Sequence, residues 1–321
     1  MADRSARPDE RGWQAGFRSM ASPIEVTIGP GCPDPPATYR EIVSVFTEVA
    51  TQCTRFDPDS DLMRANRADD WVPVGGFCVD ALRAAARAHL ATSGRFDPRV
   101  LRALLRLGYT HSHESGRSGG PIAARHAACP DEPWLPEIDG ANGRVRIGPD
   151  PVDLGGIGKG LATRWAADRV AADCPSLLID AGGDCVARGT SPDGGPWRLG
   201  VEDPRGGDDP IAVLALVDRA CATSSTRRCR WQHEGEVVHH LLDPRTGRPG
   251  GAGLLAVTVV DHDPAEAEVW AKTLFLAGAD GVAALAMDRG LPALWVFESG
   301  GFACSDDMLP FVIWPSRPGV A

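Results

Sequence analysis

His239-His240-Leu241-Leu242-Asp243-Pro244-Arg245-Thr246-Gly247-Arg248-Pro249 is an apolar strand that carries histidine into a turn holding an acid, a base and a hydroxyl. A lone histidine on such a strand is ordinarily a satisfied core residue. This one has company. Upstream stand Val152-Asp153-Leu154-Gly155-Gly156-Ile157-Gly158-Lys159-Gly160 and Leu177-Leu178-Ile179-Asp180-Ala181-Gly182-Gly183-Asp184, two further glycine-rich turns that hold carboxylates. The three stretches read together as one site. Working outward from the histidines, the spacing predicts strands at 176–180, 197–202, 211–217, 220–224, 237–242, 254–260 and 293–298. Helices are expected at 157–173, 264–277 and 280–288. The first half is expected to open with a strand at 24–28. Helices follow at 37–52, from Ser60 to about Asn66, at 79–93, and from Phe96-Asp97-Pro98 to Gly108. Strand-rich stretches joined by turns, with grouped rather than alternating helices, predict an α+β fold instead of a doubly wound sheet.

The bulk properties narrow the partners. A chain of 321 residues can bury a substantial core without staples. Its formal net charge of -10 argues against a broad basic surface for nucleic acid or anionic lipid, which leaves a small molecule or a protein. No run of about eighteen apolar residues occurs, so no membrane insertion is expected. Residues 1–19 are charged, punctuated by glycine and proline, and lack the apolar centre of an export signal. They are expected to be disordered, with one domain over 20–315 in a cytoplasmic protein. The nine cysteines never form a Cys-x-x-Cys pair and read as reduced thiols. His111, His113, His126 and Cys129 fall in a Gly/Ser-rich stretch that reads as a surface loop rather than a zinc site.

The turn at Asp153 to Gly160 is not a Walker loop, because the residue after Lys159 is glycine instead of Ser or Thr. Nor is it a Rossmann fingerprint, since one residue is missing before the third glycine. The physics of an anion site survives: free amides and the positive end of the following helix point at the turn, beside Lys159. A tight strand-to-helix turn with a solvated lysine accounts for the same residues. Gly182 and Gly183 end a strand and permit close approach of a ligand, or simply a hairpin. Ala222-Thr223-Ser224 places hydroxyls at a strand end.

Taken in order, these segments resemble the ApbE family of FAD:protein FMN transferases, over about Met20 to Gly278. The match rests on Phe96-Asp97-Pro98, the Asp-Leu-Gly-Gly-Ile-x-Lys-Gly turn at 153–160, Gly182-Gly183-Asp184, Asp203-Pro204, Ala222-Thr223-Ser224, and His240-x-x-Asp243-Pro244-Arg245-Thr246-Gly247. The resemblance implies an ApbE-type fold of mixed sheets and flanking helices around a central FAD cleft. It implies transfer of FMN from FAD to a Ser or Thr hydroxyl of a partner flavoprotein bearing a flavinylation motif, with release of AMP. It would place FAD near Met20, Phe56 (where many members have Tyr), Phe96, Asp97, Asp153, Lys159 and Leu241. The motif residues Gly182, Gly183, Asp184, Thr223, Ser224, Asp243, Arg245 and Thr246 are assigned to the same dinucleotide. His240, with an ordinary pKa of about 6.5, is the group best matched to take the acceptor's proton.

The resemblance also implies a divalent ion, Mg²⁺, between the Gly156 carbonyl and the Asp and Thr side chains of a helix start. Here Glu268 stands at the Asp position and Lys272 at the Thr position, and an ammonium cannot ligate a hard cation. Two readings follow from the substitution. Either Glu268 and Lys272 are an ordinary i,i+4 helix pair, or the Lys272 ammonium takes the ion's place. With the metal helix altered, the same fold would also suit an FAD pyrophosphatase yielding FMN and AMP, or a non-catalytic FAD-binding protein.

Overall fold

The computed structural model describes residues 7–9, 12–111, 128–227 and 229–315. It is α+β, as expected, and the chain divides into two compact units. The first unit comprises Met1–Phe46, Lys159–Arg228 and Gly251–Ala321; the second comprises Thr47–Gly158 and Cys229–Gly250. One boundary falls inside helix Pro35–Cys53, and another falls between Gly158 and Lys159, within the glycine-rich turn.

The first unit is built on an antiparallel sheet that, among the described residues, has nine strands. Its order is Arg7–Asp9, Gly12–Ser19, Ser22–Ile28, Leu177–Asp180, Cys185–Arg188, Arg219–Ser225, Leu254–Asp261, Ala293–Phe297 and Phe302–Cys304. The interior strand Leu254–Asp261 is apolar except for Thr258 and the terminal Asp261, with Val257, Val259 and Val260 buried, close to the composition expected of a strand covered on both faces. Helix Pro264–Leu276 packs on it and on Arg219–Ser225, burying Val269, Leu274 and Phe275. A smaller sheet, Val312–Pro315, Ala212–Leu216 and Trp197–Val201, shares a core of Leu214, Leu216, Trp197 and Val296.

Within the stretch expected to be disordered, residues Gly12–Ser19 form a strand. Trp13, Ala15 and Phe17 alternate with polar or small residues and pair in register with Ile28, Val26 and Ile24. Phe17 meets Phe46 edge-on at 5.5 Å, and Trp13 meets Tyr39 at 5.2 Å. Gly12 and Gly16 in the strand masked this period-two signal.

The second unit carries helices Asp61–Arg67 and Gly76–Ala91, a 3₁₀ turn Pro98–Val100 running into helix Leu101–Arg106, and short hairpins. Ser60 caps the first helix by accepting from the Met63 amide, as the Ser-Asp start predicts. Strand 237–242 is split: Glu236–His239 pairs with Arg230–His233, whereas Leu242–Asp243 pairs with Arg248–Pro249. The break falls at His240 and Leu241. Ala103, Leu104, Val238 and Leu242 form a local core there, with Tyr109 and Trp231 against it.

The turn between Gly12–Ser19 and Ser22–Ile28 is unusual. Met20 and Ala21 both adopt left-handed conformations, φ 51° and 59°, in a two-residue hairpin that normally selects Asn-Gly. Each non-glycine residue there costs about 1 kcal/mol or more. The double variant Met20→Asn, Ala21→Gly is therefore expected to raise stability by about 1–2 kcal/mol, read as a higher urea midpoint with unchanged m.

Candidate active site

In the first unit, two turns meet. The Met20-Ala21 hairpin abuts the turn at Asp180 to Asp184, where a Cβ on Gly182 would come 3.0 Å from Ser22 Cβ. Gly182 and Gly183 have φ of 70° and 102°, which an L side chain resists, and the Gly183 amide donates to Asp180 Oδ1 at 2.8 Å. The turn joins two paired strands, so the plain hairpin reading holds for its backbone. It also does more. Asp184, its last residue, is buried with its carboxylate on the Lys159 ammonium and near the Thr223 amide at 3.4 Å. Thr223 shares its hydroxyl with Thr258 at 2.8 Å, and Ser224 is buried beside it.

Lys159 also lies 3.5 Å from Glu268 Oε1, while Glu268 Oε2 accepts from the Gly160 amide at 2.8 Å. The side chains of Asp184 and Glu268 are 2 % and 7 % exposed, against 25 % for Lys159. The ammonium between these two carboxylates is that of Lys159, whereas the sequence reading looked to Lys272. This arrangement does not fit a hard divalent ion. Both carboxylates are engaged, and the usual Thr is a lysine.

The second unit assembles the rest. Asp153, expected on the dinucleotide, pairs with Arg55 Nε at 2.8 Å and accepts from the Gly155 amide through its other oxygen at 2.8 Å. The Arg55 guanidinium lies 4.0 Å from the Phe56 ring centroid and 4.3 Å from that of Tyr109, and donates to the Tyr109 carbonyl at 2.8 Å. Its Nη2 is buried without an acceptor among the described residues. Sequence reasoning missed Arg55, because its partner lies about a hundred positions along the chain and no local spacing links them. Burial, and after it the neighbouring Cys229 thiol, push the Tyr109 hydroxyl well above its usual range.

Phe96, Asp97 and Leu241 turn inward. Phe96 and Leu241 are core residues, and Asp97 caps the Pro98–Val100 turn while gripping Arg99 through both oxygens, at 3.0 and 2.7 Å. These three side chains are engaged in the unit's own core and turn. The Gly156 backbone lies buried in the same unit. Asp243 and Arg245 hold each other, and this contact keeps the Asp243 carboxyl below its usual range. Arg245 and Thr246 are exposed. His113 and His126 lie outside the described residues.

The two adjacent histidines differ in kind. His240 Nδ1 is 3.2 Å from the Cys229 carbonyl, which can only accept, so Nδ1 carries the hydrogen and Nε2 the lone pair. His239 Nδ1 instead accepts from the Leu241 amide at 3.3 Å. Burial holds the His239 pKa below its ordinary value.

The family model for the ApbE family matches residues 20–295. The chain belongs to the ApbE family. A Vibrio cholerae relative named FAD:protein FMN transferase is 28 % identical over 294 residues, 88 % of this chain and 87 % of that one. A Klebsiella pneumoniae relative of the same name is 29 % identical over 255 residues, covering 75 % and 71 %. The crystal structure of the ApbE protein of Thermotoga maritima superimposes with a TM-score of 0.80 at 27 % identity, covering 93 % of this chain and 98 % of that one. The residues that the ApbE resemblance singled out are distributed over both units: Met20, Lys159, the Gly182–Asp184 turn, Thr223, Ser224 and Glu268 in one, and Phe56, Asp153 and His240 in the other.

The His239 environment has a consequence for pH. A histidine held neutral by burial contributes stability that is present above its unfolded pKa of about 6.5 and lost as pH falls through the lower folded value. The urea midpoint is expected to be lower at pH 5 than at pH 7, and His239→Gln to lessen that drop.

Proposed function

We propose that this chain transfers FMN from FAD to a Ser or Thr hydroxyl of a partner flavoprotein and releases AMP. The acceptor oxygen attacks the flavin-side phosphorus, the bond from that phosphorus to the bridging oxygen breaks, and AMP departs with that oxygen. The acceptor's proton needs a base. The observation that carries the reading is the His240 ring, pinned through Nδ1 to the Cys229 carbonyl so that the basic nitrogen is Nε2. The ring stands where the strand breaks, at the head of the Asp-Pro-Arg-Thr-Gly signature. Family membership and the relatives' shared name support the same chemistry.

Charge neutralisation is the other requirement, because transfer to phosphorus depends chiefly on positioning and electrostatics. Lys159, at the first turn of helix Gly158–Arg169, is the cation assigned to the diphosphate. Phe56 offers a partly exposed ring, backed by Arg55, for the flavin or the adenine. Among the described residues no helix is long and apolar enough to cross a membrane. The nine free cysteines support a cytoplasmic, reducing setting.

Purified protein, FAD and an acceptor bearing an Asp-x-x-Thr/Ser-Gly-Ala-Thr/Ser sequence should give an acceptor heavier by one FMN in intact mass. His240→Ala is expected to lower that rate by at least about 100-fold while FAD affinity stays within a few-fold. Formation of FMN and AMP without an acceptor would make the protein a pyrophosphatase. FAD retention with no product would make it a binding protein.

A further inference from the structure

We propose that the Lys159 ammonium, held between Asp184 and Glu268, is the resident cation of this site, so that the protein binds its dinucleotide without a divalent ion. The inference rests on the reading of the chain as an FAD-binding transferase. Four observations carry it. First, Asp184 and Glu268 are buried carboxylates from different elements, a hairpin and a helix, and both lie against the same ammonium. Two buried carboxylates without a cation would repel one another and be poorly solvated, so a positive charge is required there.

Second, Glu268 is held in place by the backbone. Its Oε2 accepts from the Gly160 amide, one of the unpaired donors at the start of helix Gly158–Arg169. That geometry needs a glycine: a Cβ on Gly160 would lie 2.4 Å from the Pro264 carbonyl oxygen and 2.6 Å from Ala265 Cα. Lys159 is the preceding residue, so the contact that positions the carboxylate also delivers the ammonium.

Third, the neighbouring hydroxyl cannot stand in for the one lost at position 272. Thr273 is fully buried, and its Oγ1 donates to the Val269 carbonyl at 2.7 Å, within its own helix. Fourth, Lys272 lies one turn beyond Glu268 on the same helix, at the position where the resemblance expects a ligating Thr, and an ammonium is no ligand for a hard cation. A dication added to this cluster would have to displace the Lys159 ammonium from both carboxylates. The cation that the two carboxylates require is thus built into the chain, as one positive charge in a fixed place.

Mn²⁺ titration of the full-length protein, followed by the loss of the free-ion EPR signal, tests the proposal. The wild type is expected to take up no Mn²⁺ into the millimolar range. Lys159→Ala leaves the two carboxylates facing each other and is expected to bind Mn²⁺ at least about tenfold more tightly than wild type. Micromolar Mn²⁺ binding by the wild type would overturn the proposal, as would a folded Lys159→Ala protein, checked by circular dichroism, that gains no affinity.

Where that variant fails to fold, flavin fluorescence of the wild type decides. FAD affinity within about twofold in Mg²⁺ and in EDTA upholds the proposal, and a loss above tenfold in EDTA refutes it. Absence of FAD binding in both buffers would instead defeat the transferase reading, leaving the Mn²⁺ titration to judge the cation site alone.

Discussion

The missing side chain at Gly160 is the constraint on which the cationic part of this molecule depends. Without it, the start of helix Gly158–Arg169 can press against the start of helix Pro264–Leu276, with backbone atoms closer than any Cβ would permit. Two helix N-termini brought together concentrate positive partial charge and unpaired amides, and a carboxylate is the natural filling. Glu268 provides it and is buried as a result. Burial then raises the cost of leaving that charge alone, and Lys159, adjacent in sequence to the glycine that created the problem, supplies the opposite charge to Glu268 and Asp184 alike. The cluster therefore follows from packing before it follows from any ligand.

The second unit meets a similar difficulty with arginine. Arg55 and Arg99 are both buried, each on an aspartate, and each spends further donors on backbone carbonyls: Tyr109 for the first, Pro130 and Glu132 for the second. Buried ion pairs add little net stability over well-packed apolar residues, but breaking one leaves a charge stranded. Their value is positional. The Arg55 pair fixes Asp153, and with it the entry into the glycine-rich turn, while its guanidinium sets the spacing of Phe56 and Tyr109. Arg99 on Asp97 closes the bend that feeds helix Leu101–Arg106.

Most of the elements were legible in the sequence because their signals are local. Ser60 as a cap, the apolar spacing of Pro35–Cys53 and the largely apolar Leu254–Asp261 strand all predict what formed. The α+β class followed from their order. Strand Gly12–Ser19 was hidden because glycines dilute its alternation, and pairing with Ser22–Ile28 supplies what propensity does not. The division into two units was hidden because each unit is stitched from distant segments. The site was legible as a set of motifs, whereas the roles within it were not. Asp97 and Phe96 recur in the motif yet are buried, and Arg55 carries no motif at all. Lys159 meets Glu268 because a helix-to-helix contact decides the pairing, and sequence spacing cannot report it.

One local rule does run through the chain. Asp97-Pro98-Arg99, Asp203-Pro204-Arg205 and Asp243-Pro244-Arg245 fold alike. In each, the arginine amide donates to the aspartate Oδ1 at 2.8, 2.9 and 3.0 Å, and Nη2 reaches Oδ2 at 2.7, 3.0 and 2.8 Å. The aspartate closes an Asx turn over the proline, and the arginine two residues on swings back to grip the same carboxylate. Because every contact lies within three residues, the geometry is indifferent to surroundings: Arg99 is buried, whereas Arg205 and Arg245 are largely exposed. This sorts the chemistry of the signature at 240–247. Its carboxylate and guanidinium, the groups that look most reactive in the sequence, are committed to each other and shape the turn. His240, tethered to the Cys229 carbonyl across the broken strand, is the residue of that signature to which the proposed reaction assigns the proton transfer.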